Sequence, residues 1–201
     1  SNITIVNLTV QKSYKGLFLK SIENVTIQNL VAYNNEFTNV YMLNSNNVTI
    51  SHIVANYSDC GLYIKASKNI TIKNLTICHN TGAGIYVYEV NNTEIAFGYM
   101  FNNSGHSIYM DTSDRNNIHN ISISASKCGI ELLHSDNNTI TNNTFDGCGL
   151  RVVESYDNDV YDNTVNGKPL VYIEDNVGVL VMDAGQVIVI NSACLLYTSD
   201  A

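Results

Sequence analysis

Among the side chains between positions 106 and 151 that can do chemistry, six stand at spacings that could bring them together: His106, Asp111, Cys128, Glu131, Cys148 and Arg151. Asp111 and Glu131 offer the pair of carboxylates that acid–base cleavage of a glycosidic bond requires, with Arg151 beside them as a cation. His106, Cys128 and Cys148 offer an imidazole and two thiols, a donor set for copper or zinc. Upstream, Phe18, Tyr41, Tyr63, Tyr86 and Tyr109 recur at nearly equal intervals. Aromatic rings in such a row offer flat apolar surfaces on which sugar rings can stack. Each of these sets is a set only if the chain comes back to the same place once per interval.

Internal repetition shows that it does. The phrase Asn-x-Thr-Ile stands at 2–5, 24–27, 47–50 and 69–72, with weaker copies ending at Ile95, Ile118, Ile140 and Val160. Successive anchors are thus roughly 22 residues apart, a period in the solenoid range. A second phrase, Gly-apolar-x-apolar, begins a constant distance before each anchor, as from Gly16 to Ile27, Gly61 to Ile72, Gly84 to Ile95, Gly129 to Ile140 and Gly149 to Val160. Asn39 and Ser107 stand in for glycine in the two remaining copies. The return path from anchor to next phrase varies in length. One arc of fixed length and one that absorbs insertions is how a solenoid behaves. Apolar residues alternate with period two, as in Leu62/Ile64, Ile85/Val87 and Ile108/Met110, which is strand patterning. The spacing predicts an all-β parallel β-helix over residues 1–193, three short strands to a coil. With the glycine position counted as zero, positions one and three face the core. Position two, which carries the aromatic row, faces outward. Asparagines at position eight (Asn24, Asn47, Asn69, Asn92, Asn137) are expected to form a buried amide ladder.

The tail departs from this pattern. Cys194 falls where asparagine belongs and Tyr197 where isoleucine or valine belongs, and residues 194–201 look like translated adapter sequence. The chain begins in mid-pattern without a basic-then-apolar leader, so it is expected to be part of a longer polypeptide.

Composition narrows the partners. The formal charge is −8, and no basic stripe is present to offset phosphate, which excludes a nucleic-acid partner. No apolar run is long enough to span a membrane. Charged residues are only 14% of the chain while 45% are hydrophobic, which fits a folded surface protein.

Each candidate set has a structural alternative. Asp111 and Glu131 lie in adjacent coils and two positions apart, about 8 Å by strand spacing, within the ~6.5–9.5 Å of an inverting glycosidase; Glu131 and Arg151 stacked one above the other also make an ordinary surface ion pair. His134 and Glu154 belong to the same polar group. His106, Cys128 and Cys148 form one column, open to three readings: core thiols, a Cys128–Cys148 disulfide, or a metal set. The aromatic row is either a sugar platform or a self-stacked shield for the sheet. Acidic turns (Asp111 and Asp114; Asp157, Asp159 and Asp162) are candidate calcium ligands, and Asn102 is the glycosylation acceptor expected to be most exposed.

The phrases at 137–145 (Asn-Asn-Thr-Ile-Thr-Asn-Asn-Thr-Phe) and 84–87 (Gly-Ile-Tyr-Val) resemble the repeats of NosD-like and carbohydrate-binding/sugar-hydrolase (CASH) β-helix domains. The stretch Gly167–Tyr172 followed by 184–187 is similar to a segment of NosD-like surface proteins of archaea. The resemblance implies a right-handed, single-stranded parallel β-helix with coils of roughly 20–23 residues. It also implies a location outside the cytoplasm: extracellular, cell-surface or periplasmic. It implies three functions: a noncatalytic structural or glycan-binding module whose partner is a polysaccharide or cell-surface glycan, a carbohydrate-active enzyme (hydrolase, lyase or epimerase), and a copper-handling protein. Enzymes of this fold often work on the outer face that carries Asp111, Glu131 and Arg151. The Asp-Asp, Asp-Pro-His-Asp and Arg-x-Pro phrases of such enzymes are missing here, which weighs against catalysis. No cofactor is expected, and copper or calcium are the ions the sequence leaves open.

Overall fold

The computed structural model describes residues 2–193 in full and the backbone of 196–198. The chain winds as a right-handed parallel β-helix. Seven short strands form one sheet, running in space Lys15–Lys20, Thr38–Leu43, Cys60–Lys65, Ile85–Tyr88, His106–Asp111, Cys128–Leu133 and Leu150–Val153. The register follows the repeat: Leu62 pairs with Ile85 and Ile85 with Ile108. The other wall is built from longer strands, Glu23–Tyr33, Asn46–Asn56, Lys68–Cys78, Glu94–Phe101 and Asn117–Ser124, again in parallel register, with Ile27 over Ile50 over Ile72.

The three short strands expected per coil are two in these coils, because the second and third run together through a bend. Asn29, His52, Asn74, Phe97 and Asn120 sit in mid-strand at φ of 55° to 59°. One left-handed residue turns the strand without breaking its ladder, so Ile27 and Leu30 on either side of the bend both point inward. From Thr139 the two halves separate, into Thr139–Thr141 and Thr144–Asp146. The left-handed region costs most residues about 1–2 kcal/mol and, glycine aside, costs asparagine among the least. This explains one part of the asparagine content.

The position-eight column is one of these left-handed corners, which corrects the expected burial. Asn24, Asn47, Asn69, Asn92 and Asn137 all have φ between 52° and 57°, and all but the half-buried Asn24 are exposed. Arg115, which breaks the column in sequence, keeps the same conformation at 55°. Asn102 is exposed too, but it is not singular in that. The buried amide ladders run elsewhere: Asn80 to Asn103, Asn116 to Asn138 to Asn158, and Asn143 to Asn163. Each passes its side-chain oxygen to the coil before it, while Nδ2 of Asn80, Asn103 and Asn143 caps a backbone carbonyl. Serines do the same three residues before Asn116, Asn138 and Asn158, from Ser113 to Ser135 to Ser155.

The core is a continuous column of isoleucine, leucine and valine, with Met42, Met100, Met110 and Phe145 filling the gaps. Regular winding ends near residue 165. Asn166 and Gly167, at φ 52° and 78°, make a two-residue turn into a strand, Lys168–Glu174, that runs antiparallel to Thr164–Val165. By spacing Leu170 and Val171 would fill positions one and two of the next coil, but they leave those vertical rows; Val171 pairs with Val187, and the position-two row ends at Arg151. The Gln186 side chain covers the free edge of the short-strand sheet. Its Oε1 accepts from the Leu150 N–H at 3.0 Å and its Nε2 donates to the Leu150 carbonyl at 2.6 Å. In the tail, Leu196–Thr198 pairs with Leu180–Met182, while Cys194 lies outside the described residues. Among the described residues no helix is long and apolar enough to cross a membrane.

Candidate functional site on the outer face of the short-strand sheet

Strands His106–Asp111, Cys128–Leu133 and Leu150–Val153 bring the predicted groups to one face. Positions zero and one both point inward (Ser107 and Ile108, Gly129 and Ile130), so the residue before them is turned outward along with positions two and four. This places His106 beside Tyr109 and the Glu131–Arg151 pair.

Glu131 is the centre. It stands on an outward position yet is only 4% exposed. His106 Nε2 lies 2.8 Å from its Oε2, and Arg151 donates to Oε1 at 2.5 Å. Burial alone would raise its carboxyl, but the Arg151 hydrogen bond and the charges of His106 and Arg151 outweigh this, and the group lies below the ordinary carboxylate range. It is therefore ionised at neutral pH and accepts only, so His106 Nε2 donates to it. A buried, doubly held carboxylate is not an ordinary surface pair, and in a pair of catalytic carboxylates an ionised one suits the base, not the acid. Asp111, on the same face, has other partners than Glu131: it pairs in register with Leu133, accepts from the Thr112 hydroxyl at 2.9 Å and lies 4.0 Å from His134 Nδ1. His134 in turn contacts Glu154 at 2.6 Å.

The aromatic row stacks on itself. Tyr41 and Tyr63 are 5.0 Å apart and 2° from parallel, Tyr63 and Tyr86 4.8 Å and 7°, while Tyr109 is tilted 41° from Tyr86 and meets the His106 ring at 5.0 Å. Phe18 meets Tyr41 edge-on. From Tyr41 to Tyr86 ring spacing thus equals strand spacing, so these ring faces cover one another. Of the two readings of the row Phe18, Tyr41, Tyr63, Tyr86 and Tyr109, the self-stacked one describes these three rings, a ridge of edges and hydroxyls. Burial first, then the neighbouring Tyr63 and Tyr109, push the Tyr86 phenol up to about 12.

The cysteine column divides. Cys60, Cys78, Cys128 and Cys148 are all free thiols. Cys60 Sγ donates to the Leu62 carbonyl and Cys128 Sγ to that of Ile130, the contact that the Thr38 hydroxyl makes with Val40. Cys148 packs on the core with Sγ toward the Ile123 carbonyl. The donors that come together are His106, Cys128 and Glu131, all within 4.8 Å of one another. Glu131, not Cys148, is thus the third donor gathered with His106 and Cys128. Among the acidic turns, Asp157 is joined by Glu174 and Asp175 rather than Asp159 and Asp162, and the Glu174 carboxylate is already satisfied by two backbone N–H groups and the Tyr172 hydroxyl.

Two features escaped the sequence reading. Lys73, Glu94 and His119 form an ion-paired trio on the long-strand wall, at 2.8 and 3.1 Å. Exposed Phe97 and Tyr99 flank Gly98 over a shallow groove on the same wall; a Cβ at Gly98 would collide with the Leu75 carbonyl. Only the glycine, where the repeat carries Leu30, Ile53 and Leu75, signals the groove in sequence.

Fold and outer-face cluster define the class: a right-handed parallel β-helix with an ionised, partnered glutamate at the end of a tyrosine ridge. The model of the family "Periplasmic copper-binding protein (NosD)" matches residues 1–180, and the chain belongs to that family. No curated protein matches it. Among solved structures, the mannuronan C-5 epimerase A-module of Azotobacter vinelandii is similar at TM-score 0.69 and 13% identity, over 98% of this chain and 62% of that one. A Paenibacillus alginate lyase is similar at 0.70 and 13%, over 100% and 92%, and a periplasmic alginate epimerase at 0.65 and 12%, over 94% and 49%. Identities this low establish the fold alone. The chain spans less than two thirds of either epimerase. The family description names copper, and the imidazole, thiol and carboxylate gathered at Glu131 fit a borderline ion of that kind.

Proposed function

We propose that this chain is an extracytoplasmic β-helix module whose short-strand sheet binds an acidic polysaccharide along its outer face, without turning it over. One observation carries the reading: charge on this face runs against the charge of the chain. Lys15, Lys20, Lys65 and Arg151 lie on it, against Asp111 and Glu131, whereas the chain as a whole carries 10 basic and 18 acidic residues. Lys15 Nζ sits 3.7 Å from the Tyr41 ring centroid and Lys65 Nζ 4.7 Å from that of Tyr88, which holds the cations beside the ridge of hydroxyls. Carboxylates of a uronic acid polymer match the cations and its hydroxyls match the tyrosine edges. The fold's likeness to proteins named for alginate and mannuronan supports the same substrate class, and the family's description supports a periplasmic setting. Glu131 supports binding over turnover, since both its oxygens are occupied.

Affinity electrophoresis in gels cast with a polyuronate or a neutral glucan tests this. Retardation by the polyuronate alone, weakening with salt and lost in a K20A/K65A/R151A variant, is the expected result; equal behaviour in both gels would end the reading. A second reading, a lyase or epimerase, draws on the His106–Glu131 contact beside Tyr109. It requires unsaturated-uronate absorbance, or an inverted C5 centre seen by NMR, that disappears in H106A.

A further inference from the structure

We propose that His106, Cys128 and Glu131 form a site for one divalent transition-metal ion of the zinc(II) or copper(II) kind. The three donors come from adjacent strands in fixed register, His106 opposite Cys128 and Tyr109 opposite Glu131. Their ligand atoms already converge to within 4.8 Å of one another, the thiol and imidazole half-buried and the carboxylate buried. Strand spacing alone sets the backbones about that far apart; Glu131 reaches back toward His106 and closes the set.

The donor types select the ion. One imidazole nitrogen, one sulfur and one oxygen suit zinc(II) and copper(II); calcium or magnesium leaves the thiol unused, and copper(I) favours more sulfur. An ion taking the place of the proton between His106 Nε2 and Glu131 Oε2 leaves Oε1 with Arg151. Arg151 then acts as an orienting partner that holds the carboxylate to a single ligating oxygen. Three protein ligands leave a further position open on the solvent side, as in ion sites that take up an outside ligand.

The competing role is visible. Cys128 makes the same carbonyl contact as Cys60 and Thr38, at a long 3.6 Å. What sets Cys128 apart is company: the Cys60 thiol is buried, whereas Cys128 is half-buried with His106 and Glu131 in reach; burial first, then Glu131, push the Cys128 thiol up to about 11, so the ion has to displace its proton. The site does not depend on the polysaccharide reading, since an ion can bind with no glycan present.

The test uses the reduced chain, purified without oxygen, titrated with zinc(II) by calorimetry and with cobalt(II) by absorption. One ion per chain and a thiolate-to-cobalt charge-transfer band are expected. H106N, E131Q and C128T each weaken zinc binding at least tenfold, C128T also abolishing the band, R151A weakens it by roughly 10- to 100-fold, and C148S leaves both readouts unchanged. C128T copies Thr38, so its circular dichroism is expected to match that of the parent chain. Absence of a stoichiometric ion, a band that survives C128T, or equal loss in C148S would each overturn the site.

Discussion

The tyrosine ridge and the Glu131 cluster lie on one face of one sheet, yet they solve opposite problems. From Tyr41 to Tyr86 successive coils place the same side chain at the same position, and each ring finds its partner directly above or below. From Tyr109 onward the row changes type at every step, to Glu131 and then Arg151, and the groups must also find partners sideways, in His106. Repetition along a solenoid row makes a self-sufficient structure, and a break in it gathers unlike groups into a place where chemistry is available.

The largest expected effect comes from stripping the cluster. An H106A/R151A double variant leaves Glu131 a buried carboxylate without partners, which costs about 3–5 kcal/mol in urea unfolding unless the group neutralises; its carboxyl is then expected to titrate above the ordinary range by NMR. Truncating the ridge costs less. Tyr86→Ala removes stacking on both sides, about 1–3 kcal/mol beyond the area lost, in the same urea assay.

The two regions also fail at opposite ends of the pH scale. The Glu131 carboxyl is lower folded than unfolded, so its contribution is complete above about 4.5 and lost as pH falls through the folded value. Tyr86 is higher folded than unfolded, so its contribution is complete below about 10 and lost as pH rises toward about 12. Thermal melts across pH should show the acid limb flattened in E131Q and the alkaline limb flattened in Y86F.

At the corners, Asn69→Val is expected to cost about 1–2 kcal/mol and Asn69→Gly almost nothing, because the left-handed conformation, not the amide, is what the fold needs. Least of all, Tyr63→Phe keeps the stack and should shift stability by under about 0.5 kcal/mol, while weakening retention in the polyuronate gel.

Coil length, register and core positions could be read from the sequence because they repeat: a residue one coil further on carries the same instruction. The rest could not, for local reasons. Asparagine has two uses here, the left-handed corner and the buried ladder, and composition does not tell Asn69 from Asn80. The outward turn of His106 depends on Ser107 and Ile108 both facing inward, which simple alternation does not announce. The placing of Cys148 and Glu131 turned on side-chain direction, which spacing leaves open. The departure of Leu170 followed from a two-residue Asn166–Gly167 turn, a local signal that the long repeat obscured.

Gln186 gives the sheet an unusual last neighbour. A β-sheet edge invites any extended peptide to pair with it, and a solenoid offers such an invitation wherever its winding stops. At Leu150 the invitation is already answered, by a single primary amide that both accepts and donates as a strand would. One glutamine thus acts as a doorstop against a stray chain joining the ladder at this point, and exchanging it for leucine would leave the Leu150 N–H and carbonyl available to another molecule.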